Sequence, residues 1–142
     1  MHKGNPRYEI SNTMSTSVQA ESHTNRSIER LVLIASIVLF GGLAMLRPYP
    51  GSTTVTTVNG GVSAMVRTLA SELAPVRVNA VHPGIVGDSP AREDKDLSLV
   101  VSRTPIGRTV TMQEIVDATL FLLDNGGVNG HNLMVEGGVL VR

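Results

Sequence analysis

The stretch NGGVSAMVRTLASELAPVRVNAVHPG, from Asn59 to Gly84, narrows the possible folds more than any other part of the chain. Val62, Met65, Val66, Leu69 and Leu73 recur at helical spacing and predict one apolar stripe. Gly60, Gly61, Ala64 and Ala70 thin the neighbouring surface, so a second backbone has room to lie close. Pro75 ends the helix, because it lacks an amide hydrogen and its ring clashes with the preceding turn. Arg77 to Val81 then has the length of a central strand, and His82-Pro83-Gly84 turns the chain out of it. Helix, break and buried strand together make half of a strand–helix–strand crossover, the unit of parallel sheets.

The flanking segments extend the same pattern. The uncharged run from Leu31 to Leu46 lies between Arg30 and Arg47 and has two readings. As a membrane anchor it falls short of the roughly 20 residues that cross a bilayer. As part of a sheet, Ser36 to Phe40 is a strand buried on both faces, which explains unbroken apolarity. Gly41-Gly42 follows, where the chain needs permissive torsions or a close approach. Pro48, Pro50 and Gly51 mark a surface loop leading into the helix, with Thr56 or Thr57 as its cap. Residues 85–104 are polar and mixed in sign, and read as a surface loop. Thr111-Met112-Gln113-Glu114 fits a capping box for a helix running to about Asp124, and Asn125-Gly126-Gly127 predicts a left-handed cap after it. Strands are therefore expected near 36–40, 77–82 and 132–136, and helices near 56–74 and 112–124. Residues 1–30 read as a polar, disordered leader and 31–142 as the folded domain.

Composition bounds the function classes. Twelve basic and twelve acidic residues cancel, which argues against a nucleic-acid footprint or an anionic membrane surface as partner. Two tyrosines, two phenylalanines and no tryptophan leave little to stack on bases or sugars. The absence of cysteine excludes disulfides and thiolate metal ligands and suits a reducing, cytoplasmic compartment. The four histidines, His2, His23, His82 and His131, share no helical or strand spacing, so no metal site is expected.

Leu-Ala-Ser-Glu-Leu-Ala-Pro followed by Val-Arg-Val-Asn-Ala-Val-His-Pro-Gly-Ile-Val resembles the short-chain dehydrogenases/reductases. Pro105-Ile106-Gly107-Arg108, the helix after it and Gly130 through Gly138 resemble the closing elements of that family, with Glu136 where an aspartate is usual. The resemblance runs from about Ser36 to Gly138 and covers the second half of the fold. It implies an α/β chain with a partial Rossmann-like, doubly wound parallel sheet. It also implies a nicotinamide cofactor, NAD(P), and hydride transfer between an alcohol and a carbonyl. In the family the backbone at Pro83, Gly84, Ile85 and Val86 lies against the nicotinamide, and the segment corresponding to 85–104 forms a substrate lid.

The family's proton relay is a tyrosine, a lysine four residues later and a serine on the preceding strand. A phenol of pKa about 10 works at neutral pH only when a nearby cation favours its phenolate. By helix register the tyrosine position falls on Val55, the lysine position on Asn59 and the serine position on Gly42. None of the three can move a proton. Tyr49 has no lysine at +4 and stands outside the register, and His82 reads as a structural residue at a strand end. No glycine-rich nucleotide turn precedes Gly41, and the threonine expected two positions after Val86 is Asp88, whose charge repels phosphate. The expectation is a truncated, NAD(P)-type oxidoreductase chain without catalytic residues, a pseudoenzyme inactive by itself. The alternative is a non-catalytic interaction protein, a homo- or hetero-oligomer partner of a related dehydrogenase through the 56–74 helix. A small membrane-anchored protein using the run from Leu31 to Leu46 is the third reading.

Overall fold

A computed structural model describes residues 25–32 and 34–141. The chain divides into two units, Met1–Ala35 and Ser36–Arg142. In the first, residues 25–32 are helical (α1), so helix replaces the end of the expected leader. Residues 1–24, the rest of that leader, lie outside the described residues.

The second unit runs β1 (Ser36–Phe40), α2 (Thr53–Glu72), β2 (Arg77–Pro83), α3 (Ser98–Arg103), α4 (Met112–Asp124) and β3 (Asn132–Val135). Single 3-10 turns lie at Leu43–Met45, Pro90–Arg92 and Val139–Val141. The strands form one parallel sheet in the order β1-β2-β3, with Ser36 opposite Arg77 and Ala80 opposite Asn132. Each parallel neighbour is reached through a helical crossover, α2 between β1 and β2 and α4 between β2 and β3. The run from Leu31 to Leu46 is thus split between the end of α1, a strand and a 3-10 turn. Among the described residues no helix is long and apolar enough to cross a membrane.

The central strand is buried along almost its whole length, from Arg77 to His82. Consecutive side chains of a strand point to opposite faces. On one face Val81 packs with Ile115 and Leu122 of α4 and with Val110. On the other, His82 Nε2 lies 2.8 Å from Asn132 Oδ1, and Asn132 Nδ2 donates to the carbonyl of Ser63 in α2. The two crossover helices therefore cover opposite faces of the sheet. Buried polar side chains on β2 hold the neighbouring elements. Arg77 donates to the carbonyls of Leu122 at 2.8 Å and Leu123 at 2.6 Å, at the end of α4. Asn79 donates to Val128 O and accepts from His131 N, fixing the segment that leads into β3.

Several local expectations change. α2 begins at Thr53, with Ser52 as its N-cap, before Thr56 or Thr57. Thr56 donates its hydroxyl hydrogen to Ala44 O at 3.2 Å, so it ties the helix to the preceding 3-10 turn instead of capping it. The stripe on α2 is also rotated. Asn59, Val66 and Ala70 are buried, whereas Met65 and Leu73 are exposed. Added side-chain carbon at Gly60 or Gly61 would meet no described residue, so the room for a second backbone is left open there. The segment 85–104 is not all loop, because it contains a 3-10 turn and α3. α4 starts with the expected capping box, Thr111 and Glu114 exchanging hydrogen bonds. Its end differs: Asn125 is extended, with φ −77° and ψ 102°, and accepts from Gly127 N, so no left-handed cap forms.

Candidate functional site

A cavity of about 470 Å³ opens at the carboxyl ends of the three strands. Its floor is Gly41 and Gly42 after β1, Pro83, Gly84 and Ile85 at the end of β2, and Glu136 after β3. Open parallel sheets bind ligands at this end of their strands. The volume lies within the range of small-molecule sites.

Gly42, Val55 and Asn59, the three positions at which the family resemblance places a proton relay, all line this cavity. A Cβ built on Gly42 would stand 2.8 Å from Asn59 Nδ2, so a side chain there would push the end of the Asn59 side chain aside. Its backbone is extended, with φ −172°, a conformation open to any residue. Asn59 is 9% exposed, and its carboxamide makes no hydrogen bond to any described residue. Its remaining exposure therefore faces the cavity.

Of the four residues expected to lie against a nicotinamide, Pro83, Gly84 and Ile85 line the cavity. Val86 does not; it forms a parallel bridge with Val110. Gly84 is required where it stands, since a Cβ there would lie 2.9 Å from the Glu136 backbone. Asp88 sits outside the lining: its Oδ1 accepts from Met112 N at 2.8 Å, where the positive end of α4 favours a carboxylate. His82 is fully buried, and its Nδ1 has no partner among the described residues. Its Nε2 contact with Asn132 is structural, and the ring stays out of the cavity lining.

The lining also contains residues that register alone does not reveal. Tyr49 reaches the cavity from the loop before α2, although it is 58% exposed and lies outside the relay spacing. Arg47 lines it too and donates to Val139 O at 2.8 Å, drawing that loop toward the last turn. Val100, Arg103 and Thr104 come from α3 and its end, so the segment resembling a lid does border the cavity. Only the long-range fold brings these groups together, and no sequence spacing encodes it.

The displaced ionisations lie elsewhere. The Arg108 guanidinium, helped by the Thr111 amide, holds the Glu114 carboxyl down at about 2. The Ser98 hydroxyl and amide lower Asp96. Neither carboxylate lines the cavity; both sit at helix starts. Chemically, the cavity offers apolar walls, the Asn59 carboxamide, two guanidinium groups, the Glu136 carboxylate, two threonines and one phenol, with no lysine among the described lining residues.

Residues 5–140 match the sequence model of the family described as enoyl-(acyl carrier protein) reductase. The match reaches further toward the amino terminus than the motifs quoted above. A human 3-oxoacyl-(acyl-carrier-protein) reductase is 34% identical over 106 residues, covering 73% of this chain and 44% of its own. The enzyme of the same name from Thermotoga maritima is 33% identical over 113 residues, covering 75% of this chain and 46% of its own. The chain therefore spans somewhat under half the length of these relatives. The solved MalC reductase/Diels-Alderase from Malbranchea aurantiaca superposes with a TM-score of 0.73 at 30% identity, over 78% of this chain and 43% of that one. A small-chain dehydrogenase in complex with NADPH superposes at 0.69 and 29% identity, over 77% and 52%. The α/β crossovers, the cavity at the strand ends and these matches agree: the chain belongs to the short-chain dehydrogenase/reductase family of oxidoreductases.

Proposed function

We propose that this chain forms the substrate side of an NAD(P)-type oxidoreductase cleft and does not transfer hydride by itself. The observation that carries this reading is the convergence of Gly42, Val55 and Asn59 at one cavity wall. A proton must pass to or from the substrate oxygen as hydride moves, and glycine, valine and asparagine have none to exchange. The nicotinamide would rest on Pro83, Gly84 and Ile85, with Val86 holding that strip through its bridge to Val110. The NADPH complex of a similar small-chain dehydrogenase supports this cofactor class. The names of the human and Thermotoga relatives favour 3-oxoacyl thioesters as the parent substrate class. In this reading residues 31–142 form a cytoplasmic oxidoreductase-like domain.

The test offers purified chain both NADPH and NADH with a 3-oxoacyl thioester, and follows nicotinamide absorbance and fluorescence. The expected result is no reduction of substrate at any cofactor concentration. Sustained turnover by the wild-type chain would overturn the proposal.

A second reading, a non-catalytic subunit that pairs with a related dehydrogenase or with its own copy, is favoured by α2. Val58 is 58% exposed and Met65 43% exposed on the flank of that helix, with Leu73 beyond them. Mixing the chain with a full-length relative and measuring mass by light scattering tests this pairing.

A further inference from the structure

Asn59 is more than nine-tenths buried, faces the cavity and has no hydrogen-bond partner among the described residues. Its carboxamide stays open to water through the cavity, so a ligand there must replace water as its hydrogen-bond partner. The walls around it are apolar, from Leu43, Val55, Ile85, Val110 and Val139. Two cations, Arg47 and Arg103, share the lining with one carboxylate, Glu136, which already accepts from Leu140 N at 3.2 Å. Arg47 keeps further N–H groups beyond the one on Val139 O, and neither arginine forms an ion pair among the described residues. Guanidinium groups favour carboxylate oxygens, which accept from several donors at once.

We propose that the cavity binds an apolar monocarboxylate, the ionised acid of a short acyl chain. The Asn59 amide donates to a carboxylate oxygen, Arg47 and Arg103 supply the opposing charge, and the acyl chain lies on the aliphatic wall. The site binds such an acid and leaves it unchanged. This inference shares the cavity with the reading above and rests on its claim that Asn59 replaces a relay residue.

The test is calorimetric titration of the full chain with octanoate, without nicotinamide cofactor, and with octan-1-ol as the uncharged control. Octanoate should bind at least tenfold more tightly than octan-1-ol, and more weakly as salt is raised. Asn59→Leu and Arg103→Gln should each weaken octanoate roughly tenfold, the scale of a hydrogen bond to a charged group. Arg103→Gln should leave octan-1-ol unchanged. Asn59→Asp keeps the side chain's size should the leucine variant fail to fold, and its negative charge should weaken octanoate further. Equal affinity for acid and alcohol, or octanoate binding indifferent to these substitutions, would overturn the proposal. Because no cofactor is present, turnover in the hydride assay would defeat the earlier reading while leaving this titration standing.

Discussion

Arg77 carries its charge onto the buried central strand, where carbonyl oxygens of Leu122, Leu123 and Val128 receive it. The last carbonyls of a helix have no partner within the helix, so this guanidinium satisfies the end of α4 from across the sheet. Arg77→Met removes those donors and leaves the oxygens buried. A loss of about 2–4 kcal/mol in urea unfolding is expected, and Arg77→Lys should fall between, since one ammonium does not span the same fork. Gly41 sets a second test. A Cβ there would lie 2.5 Å from Nδ1 and Cε1 of His82, whose ring is enclosed and hydrogen-bonded to Asn132. Gly41→Ala should destabilise the fold by about 1–3 kcal/mol through overpacking, read as a lower unfolding midpoint. The sequence signalled the close approach at Gly41-Gly42 but not which residues approach, because the partners lie on β2 and α2.

At the scale of elements, α4 is the part most legible in the sequence. Four consecutive residues, Thr111 to Glu114, contain its start signal, and the reciprocal hydrogen bonds are present. Arg108 adds a paired contact to Glu114, with 2.6 Å between Nη2 and Oε1. Glu114 is thereby held at about 2, below its ordinary value, so its contribution is present above the unfolded carboxylate range. That contribution fades as pH falls from about 4.5 toward 2. Glu114→Gln should flatten this acid limb in thermal melts taken across the interval, and an unchanged limb would contradict the assignment. The starts of the other helices were less legible for a physical reason. Ser52, Thr56 and Thr57 are all competent caps, and the choice follows from the contact between Thr56 and Ala44. α3 is short and lies in a polar segment whose period is too brief to register. The buried face of α2 is set by β2 and by the 3-10 turn at Leu43–Met45, so the small Ala70 turns inward while Met65 turns out.

Taken whole, the described fold is a three-stranded parallel sheet with β1 and β3 at its edges, and β1 shows Ile37 and Phe40 to solvent. An edge that no described strand of this unit covers, next to an apolar flank on α2, favours association. Met65→Glu should therefore shift any self-associated species toward monomer, measured by light scattering at matched concentration. The architecture was readable from the crossover at 59–84 because its helix, break and strand follow in local order. The cavity was readable only in part. Gly42, Val55, Asn59, Pro83, Gly84 and Ile85 follow from the family resemblance, whereas Arg47 and Tyr49 arrive through a loop and Arg103 through the short α3, whose paths no local pattern fixes.

The central proposal is that Gly42, Val55 and Asn59, at the relay positions of this cavity, move no proton. The most direct measurement is carbonyl reduction by the wild-type chain, in a sample whose dispersed NMR spectrum shows it folded, with NADPH and a 3-oxoacyl thioester present. The account predicts an unchanged nicotinamide signal over many hours. Steady oxidation of NADPH, lost on substitution of Tyr49 by phenylalanine, would contradict it and place the proton donor on the loop before α2.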